Sequence, residues 1–274
     1  MTETLRLAAV IGDPIAHSRS PVLHGHWLKR YGIAGHYVPL HITPDTFAEA
    51  LHILPRMGFI GANVTLPHKH SALSLADKVT PLAQRIGAAN TLTFTDQGIE
   101  ADNTDAYGFT QNIKQAVPGW SPKTVSVIGA GGANRAVLAA LLDLGVTEIR
   151  LSNRSPQRAL DLADEFGAPI TAVPWANRSD MLEGCDTLIN GTSQGMVGNP
   201  PLDIDLTTLP ETAVVNDLVY TPLETPLLAQ ARARGNTCVD GLGMLLFQAA
   251  PGFERWFGQK PTVDEELRNA VLNA

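Results

Sequence analysis

Short apolar runs rich in β-branched residues alternate along the chain with helical stretches, a pattern that is typical of α/β proteins. In the first hundred residues these runs predict strands at 7–11, 36–40, 61–65, 88–94 and 99–102. The last two strands are separated by the polar turn TDQG, which predicts a hairpin and therefore a mixed sheet. A helix is predicted at 43–57, with Thr43 as N-cap, Pro44 at its first position and Gly58 just past its end.

The alternation becomes regular after a segment with two prolines and a glycine at 116–123, which is the best candidate for a linker. Strands are predicted there at 124–128, 148–152, 171–173, 186–190, 212–217 and 236–240, and helices at 134–144 and 158–167. This order predicts a parallel, doubly wound sheet of the Rossmann type. We therefore expect two domains, a mixed-sheet domain at 1–105 completed by C-terminal helices at 242–274, and a Rossmann domain at 106–241.

Composition and charge narrow the range of partners. The formal net charge of −7 and the lack of a basic stripe argue against nucleic acid. The chain has no run of about 18 apolar residues and no signal peptide pattern, which predicts a cytoplasmic protein without membrane contact. Cys185 and Cys238 form no CxxC pair and are interpreted as small core residues. The closely spaced histidine pairs lack further ligands at suitable spacing, so no metal site is predicted. A small molecule is the expected partner.

A glycine-rich turn, VIGAGGANRA at 127–136, follows a predicted strand and opens a predicted helix. Gly129 and Gly131 would let backbone amides approach a pyrophosphate at the positive end of that helix. The third position of the GxGxxG pattern is Asn134, so the motif alone is weak and a purely structural turn is the alternative.

The end of the next strand indicates which nucleotide would bind. An NAD site would place a carboxylate there for the ribose hydroxyls, whereas this chain reads SNRSPQR at 152–158. The guanidiniums of Arg154 and Arg158 would attract a 2′-phosphate. The sequence therefore predicts NADP; the alternative is that both arginines are solvated charges at the start of a surface helix.

Polar motifs end several apolar runs of the N-terminal half: HSRSP (17–21), NVTLPHK (63–69), GAANT (87–91) and DNTDAYG (102–108). With GAGGANRA, NRS, NGTSQGM, NDLVY and DGLGMLLFQAA they make nine motifs in an order that resembles the shikimate dehydrogenase family along nearly the whole chain. The resemblance implies reversible NADPH-dependent reduction of 3-dehydroshikimate to shikimate, a step of the shikimate pathway of aromatic amino-acid biosynthesis. It also implies that the N-terminal domain binds substrate.

The resemblance assigns residue roles motif by motif. Lys69 and Asp105 would be the catalytic pair and would also contact substrate. The other implied substrate-binding residues are Ser18 and Ser20 for the carboxylate, and Asn63, Thr65, Asn90, Tyr220 and Gln248 for the rest of the molecule. The implied cofactor-binding residues are Gly129, Ala130, Gly131, Gly132, Ala133, Asn153, Arg154, Ser155, Arg158, Thr192, Ser193, Leu218, Gly241 and Met244. Asn134 and Ser155 depart from the family's common residues at their positions.

Several alternatives stay open at this point. Asp105 could be a helix N-cap, and Gln248 could be a satisfied amide of the core. The chain could also be a quinate/shikimate dehydrogenase of relaxed specificity, or a nucleotide-binding relative without turnover. A monomer and a homodimer are equally compatible with the sequence.

Overall fold

A computed structural model of the chain describes residues 5–274, which form two compact units. The first unit comprises residues 5–108 and 246–274, and the second comprises residues 109–245. Within 5–274, no helix is both long and apolar enough to span a membrane.

The first unit contains a six-stranded mixed sheet. Its strands are β1 (Arg6–Gly12), β2 (Gly35–His41), β3 (Phe59–Val64), β4 (Lys78–Val79), β5 (Thr91–Thr95) and β6 (Gly98–Asp102). Their spatial order is β2-β1-β3-β5-β6-β4. Strand β1 runs parallel to β2 and β3, whereas β5 is antiparallel to both β3 and β6. The predicted hairpin and the predicted mixed sheet are both confirmed.

The second unit contains six parallel strands. They are β7 (Thr124–Ile128), β8 (Glu148–Ser152), β9 (Ile170–Val173), β10 (Thr187–Asn190), β11 (Val214–Asp217) and β12 (Thr237–Val239). Their order, β12-β11-β10-β7-β8-β9, confirms the doubly wound prediction. The chain leaves β7 toward β8 on one side and later returns to β10 on the other. The order therefore reverses between β7 and β10, where α/β sheets bind their ligands.

The helices of residues 5–274 are, in chain order, α1 (Ser20–Tyr31), α2 (Phe47–Ile53), α3 (Lys69–Ser74), α4 (Pro81–Ile86), α5 (Asp105–Ala116), α6 (Gly132–Asp143), α7 (Pro156–Phe166), α8 (Pro226–Ala233), α9 (Leu242–Phe257) and α10 (Glu265–Leu272). Helices α3 and α4 have six residues each, too few for a helical period to be read from sequence.

The helix predicted at 43–57 was wrong in its start. Helix α2 begins at Phe47, and the amide of Thr46 donates to the carbonyl of Thr43 at 3.2 Å, so the preceding residues form a turn. Residues 54–57 form a 3₁₀ helix, which ends at Gly58 with φ of 88°. The stop signal was therefore right, because glycine adopts this left-handed conformation without a steric penalty.

The apolar faces of the elements form one core in each unit. In the first unit Phe47 and Leu51 of α2 pack with Ile11 and Leu92 of the sheet. Cys185 lies in the core of the second unit and Cys238 packs against it. The predicted linker is fixed to the second unit, because the indole of the buried Trp120 donates to Thr187 Oγ1 at 3.0 Å.

Candidate active site

Lys69 is the first residue of α3 and follows a loop that several contacts hold in place. The Thr65 amide donates to the carbonyl of Ile11 at 2.9 Å, which fastens the loop to β1. The buried ring of His68 stacks on Phe47 with centroids 4.4 Å apart, and its Nε2 lies 2.6 Å from the carbonyl oxygen of Ile42. The backbone that leads into Lys69 is therefore anchored at two points, at Thr65 and at His68.

The ammonium of Lys69 donates to Asp105 Oδ2 at 2.6 Å. The lysine side chain is 23% exposed and the aspartate side chain 10%, so the ion pair is largely withdrawn from water. Asp105 is the first residue of α5, and its own amide donates to Asn103 Oδ1 at 3.0 Å. The Asp105 carboxylate is therefore paired with Lys69. Its role is not limited to capping the start of α5, which was the alternative left open by the sequence.

Asn90 occupies the other side of the same carboxylate. Its Nδ2 donates to Asp105 Oδ1 at 2.8 Å and to Gln248 Oε1 of α9 at 3.2 Å. The backbone amide of Thr104 donates to Asn90 Oδ1 at 2.8 Å, which fixes which end of the amide faces the aspartate. Gln248 therefore belongs to the polar cluster around Asp105.

Asn63 lies at the end of β3 and completes this polar cluster. Its Nδ2 donates to the carbonyl of Asn90 at 3.1 Å and to Thr91 Oγ1 at 3.2 Å. The convergence follows from the sheet: β3 ends, β5 begins and β6 ends at one edge, because β5 is antiparallel to both neighbours. Predicted residues separated by up to 158 positions, Asn90 and Gln248, thereby come into contact.

Three further predicted residues follow the parallel strands β1 and β3. Ser20 opens α1 and is buried, and its amide lies 3.3 Å from the hydroxyl oxygen of Ser18. Thr65 packs against Gly12, where an added Cβ would approach the threonine methyl group to 2.6 Å. Adjacent parallel strands present their carboxyl ends at the same edge of a sheet, so all three residues lie on the side of the sheet where Asn63 lies.

The glycine-rich turn of the second unit follows β7, as predicted. Gly129 has φ of 102°, which requires glycine, and its amide donates to the carbonyl of Ser152 at 2.7 Å. A Cβ added at Gly131 or Gly132 would meet nothing within 4 Å, so open space lies beside the start of α6. No side chain caps the helix there. Its first amides are thus available to an anionic group.

Asn134 is fully buried beneath this turn. Its Nδ2 donates to the carbonyls of Ile128 at 3.0 Å and Gly129 at 2.6 Å. A Cβ added at Gly191 would come within 1.8 Å of Asn134 Oδ1, so the asparagine occupies the space beside that glycine. The asparagine side chain is therefore accommodated inside the protein, away from the open space beside Gly131 and Gly132.

The residues after β8 carry positive charge. Asn153 is held by the Ala130 amide, which donates to its Oδ1 at 3.1 Å, so this loop is tied to the glycine-rich turn. Arg154, Ser155 and Arg158 are exposed. Among residues 5–274, no carboxylate forms an ion pair with Arg154 or Arg158. Both guanidiniums are therefore accessible to a phosphate.

Thr192 is positioned by Asn190, whose Oδ1 accepts from the threonine amide at 3.1 Å and its hydroxyl at 2.8 Å. Asn190 Nδ2 in turn donates to Asp217 Oδ1 at 3.0 Å. The fully buried Asp217 also accepts from the Thr225 hydroxyl at 2.6 Å and the Val219 amide at 3.0 Å. Burial raises the pKa of the Asp217 carboxyl. The sequence analysis did not assign a role to Asn190 or Asp217. Each is a polar residue at the end of an apolar strand, and this position was the signal that could have identified it.

The remaining predicted residues of the second unit lie near the ends of β11 and β12. The Leu218 amide donates to the carbonyl of Asn190 at 2.9 Å. A Cβ at Gly241 would lie 2.1 Å from the carbonyl oxygen of Leu218, so the close approach of these two segments requires glycine. Met244 is buried in α9, and Ser193 is exposed in the loop after β10. Tyr220 also belongs to this unit and follows β11.

These features fit NADP. The uncapped helix start with open space beside two glycines suits a pyrophosphate, and the arginines after β8 suit a 2′-phosphate. The end of β8 supplies serine and asparagine, so the carboxylate of an NAD site is absent from that position.

Comparisons with known proteins place this arrangement in a family. Family profiles described as shikimate dehydrogenase substrate binding domain, shikimate / quinate 5-dehydrogenase, and shikimate 5′-dehydrogenase C-terminal domain match residues 10–92, 111–197 and 241–265. A relative named shikimate dehydrogenase (NADP(+)), from Paracoccus denitrificans, is 61% identical over 97% of this chain and 95% of its own. The chain belongs to the shikimate dehydrogenase family.

Solved structures of the family have the same fold. Shikimate 5-dehydrogenase from Thermus thermophilus, in complex with NADP(H) and shikimate, is 38% identical and superposes with a TM-score of 0.88 over 98% of this chain and 99% of its own. Quinate dehydrogenase from Corynebacterium glutamicum, in complex with NAD, is 30% identical with a TM-score of 0.92 over 99% and 100% of the two chains. The predictions of the family and of the two-part α/β fold are confirmed.

Proposed function

We propose that the chain catalyses the reversible NADP-dependent oxidation of shikimate to 3-dehydroshikimate, with Lys69 and Asp105 as its catalytic pair. The observation that carries this proposal is the 2.6 Å ion pair between them, withdrawn from water at an edge of the sheet lined with polar side chains. The predicted activity and cofactor are confirmed at the level of the family by full-length relatives named as NADP-dependent shikimate dehydrogenases.

Lys69 is the proton donor in the reducing direction. When bound at the second unit, NADPH would supply a hydride to the carbonyl carbon of the substrate. The Lys69 ammonium delivers a proton to the carbonyl oxygen at the same time, so that a neutral alcohol forms. In the oxidising direction the neutral amine accepts the hydroxyl proton. Asp105 Oδ2 holds the amine in place for both steps.

The polar residues of the first unit bind the substrate in this proposal. Ser18 and Ser20 donate hydroxyl hydrogens to its carboxylate, a role that the adjacency of their polar groups supports. Asn63, Thr65, Asn90 and Gln248 contact its hydroxyls, and the hydrogen bonds among Asn63, Asn90 and Gln248 support a shared site. Tyr220 is also assigned to the substrate, and this assignment rests on the NDLVY motif alone.

The second unit binds the cofactor in this proposal. The turn at 129–133 holds the pyrophosphate, and Asn153, Arg154, Ser155 and Arg158 surround the 2′-phosphate. The remaining contacts come from Thr192, Ser193, Leu218, Gly241 and Met244. We assign substrate binding to residues 1–105 with 242–274 and cofactor binding to 106–241. A cytoplasmic location and a monomeric or homodimeric state complete the proposal.

The first test is shikimate-dependent reduction of NADP, followed at the nicotinamide absorbance band, with quinate and NAD in parallel. We expect turnover with shikimate and NADP. Comparable rates with quinate or NAD would instead indicate the enzyme of relaxed specificity. No turnover with any combination of substrate and cofactor would indicate a relative that binds nucleotide without catalysing the reaction.

The assignment of Lys69 is tested by Lys69→Ala. We expect kcat to fall about 10²- to 10⁴-fold, since positioned acid–base groups contribute that much, while binding of shikimate changes far less. Lys78→Ala is the matched control, because Lys78 pairs with Glu100 on the exposed surface. An unaltered kcat in Lys69→Ala would exclude this lysine from the proton transfer.

A further inference from the structure

A buried chain of hydrogen bonds connects Tyr37, in the core of the first unit, to the candidate catalytic pair. Its first donor is the hydroxyl of Tyr37 on β2, which donates to Asn63 Oδ1 at 2.7 Å. Asn63 Nδ2 donates onward to Thr91 Oγ1 at 3.2 Å. Thr91 donates to Asn90 Oδ1 at 2.9 Å, and Asn90 Nδ2 donates to Asp105 Oδ1 at 2.8 Å.

Every link of this chain has the same direction. The Asn63 amide cannot be reversed, because its Nδ2 faces the carbonyl oxygen of Asn90, which can only accept. The Asn90 amide is equally fixed, because its Oδ1 accepts from the backbone amide of Thr104. The hydroxyls of Thr91 and Thr104 are 3.1 Å apart, and both lie within hydrogen-bonding distance of Asn90 Oδ1. Whichever of the two threonine hydroxyls donates to the other, the accepting hydroxyl donates to Asn90 Oδ1, so the direction of the chain is the same.

The first group of this hydrogen-bond chain, the Tyr37 hydroxyl, stays protonated and therefore remains a donor. Tyr37 is buried, and burial raises the pKa of its hydroxyl, opposed in part by the neighbouring Ser20. The ring of His24 lies parallel to the Tyr37 ring with centroids 3.8 Å apart. Burial lowers the pKa of His24 to about 3, so this imidazole is neutral at physiological pH. Stacking on a neutral, fully buried ring holds the phenol in one position.

The direction of the chain determines what Asn63 can offer to a ligand. Both hydrogens of its amide are engaged by Asn90 and Thr91, and one lone pair of its oxygen is engaged by Tyr37. The capacity left is the second lone pair of Oδ1. A substrate hydroxyl that contacts Asn63 would therefore donate to this oxygen, which the neighbouring His24 side chain also approaches.

We propose that Tyr37 and Thr91 are positioning residues for the reaction. They act through the amides of Asn63 and Asn90 on the carboxylate of Asp105. Hydrogen bonds in a directed chain polarise one another, and this chain ends on the negative charge that holds the catalytic lysine. The inference rests on the proposed function, because it assigns roles in the oxidation of shikimate.

The test compares two near-isosteric variants, Tyr37→Phe and Thr91→Val, singly and combined. Each removes one hydroxyl and neither alters an assigned catalytic or binding residue. We expect each single variant to lower kcat/KM for shikimate roughly three- to tenfold, as for loss of one buried hydrogen bond. Because both residues are links of one chain, the double variant should lose about as much as the more affected single variant.

Tyr31→Phe is the matched control. Tyr31 lies on α1, and its hydroxyl accepts from the Thr262 amide at 2.9 Å, outside the chain. We expect its kcat/KM to stay within about twofold of wild type. The melting temperature and the Kd for NADPH, measured on every variant, show that the protein is folded.

Two results would overturn the inference: single variants with the activity of the Tyr31→Phe control, or a double variant whose loss is the product of the single losses. If Tyr37→Phe does not fold, the inference is tested by comparing Thr91→Ser with Thr91→Val. Serine keeps the hydroxyl, so its kcat/KM should exceed that of Thr91→Val, and equal values would contradict the proposal. Wild-type protein without shikimate turnover would instead refute the proposed function itself.

Discussion

Asp105→Asn is the substitution that examines the catalytic pair most sharply. It preserves the shape of the side chain and removes its charge. In the structure both neighbours of the carboxylate are donors, Lys69 on Oδ2 and Asn90 on Oδ1. An asparagine offers one oxygen and one NH₂ group, so one of these donors must face another donor.

The magnitude follows from the bond that is lost. A hydrogen bond to a charged group contributes about 1.5–3 kcal/mol, which corresponds to roughly a 10- to 150-fold change in rate if it acts on the transition state. Because the Lys69 side chain is 23% exposed, water compensates for part of the loss, and we expect the lower half of this range for kcat. The loss should therefore be smaller than that of Lys69→Ala.

The assay is steady-state oxidation of shikimate at saturating NADP, with kcat and KM determined separately. Asp77→Asn is the matched control, because the Asp77 carboxylate accepts the Ile99 amide at 2.7 Å and an asparagine oxygen can do the same. A kcat for Asp105→Asn within about twofold of Asp77→Asn would refute the role of the carboxylate in holding the amine.

Three further predictions concern the cofactor, acid stability and the glycine-rich turn. Arg154→Asp should weaken NADPH relative to NADH, since it places a carboxylate beside the 2′-phosphate; an unchanged ratio of Kd values would show that the phosphate is held elsewhere. Burial acts to raise the pKa of Asp102, but hydrogen bonds, above all from Thr80 and Arg255, outweigh it and lower the pKa. The stabilisation from this carboxylate is therefore present at neutral pH and lost as pH falls through the lowered pKa. Urea unfolding should show Asp102→Asn less stable than wild type at about pH 7, with a smaller gap at about pH 3; a gap independent of pH would contradict this. Gly191→Ala should lower the melting temperature and weaken NADPH, because its Cβ would lie 1.8 Å from Asn134 Oδ1. Adding Asn134→Ala should restore part of both losses, and additive losses would argue against this contact.

Much of the fold could be predicted from local pattern. The strands at 124–128 and 148–152 were predicted with their observed bounds. The first, TVSVI, is a nearly continuous β-branched run, and the second, EIRLS, alternates polar with apolar residues over its first four positions. Elements with weak local signals were missed. Helix α1 contains Gly25 and several polar residues, and its buried face, with Trp27, forms through contacts with residues far along the chain, such as Thr262.

For the candidate site, the sequence identified the residues but not their arrangement. Lys69 and Asp105 were assigned through motifs that resemble a family, and no local pattern says that positions 36 residues apart form an ion pair. Tyr37 belongs to none of the nine motifs, and Thr91, the last residue of GAANT, was assigned no role. They became candidates for a function only through the orientation of hydrogen bonds inside the first unit.

The sequence by itself determined the α/β class, the glycine-rich turn after β7 and the absence of a carboxylate after β8, because each depends on neighbouring residues and on backbone preferences. The TDQG turn predicted the hairpin of β5 and β6, whereas only the tertiary structure decided that β5 is also antiparallel to β3. Strand order and direction arise from the burial of whole faces against distant segments, which no short stretch encodes. That arrangement brings Asn63, Asn90 and Asp105 to one edge of the sheet and directs their hydrogen bonds toward the Asp105 carboxylate, which holds the amine of Lys69.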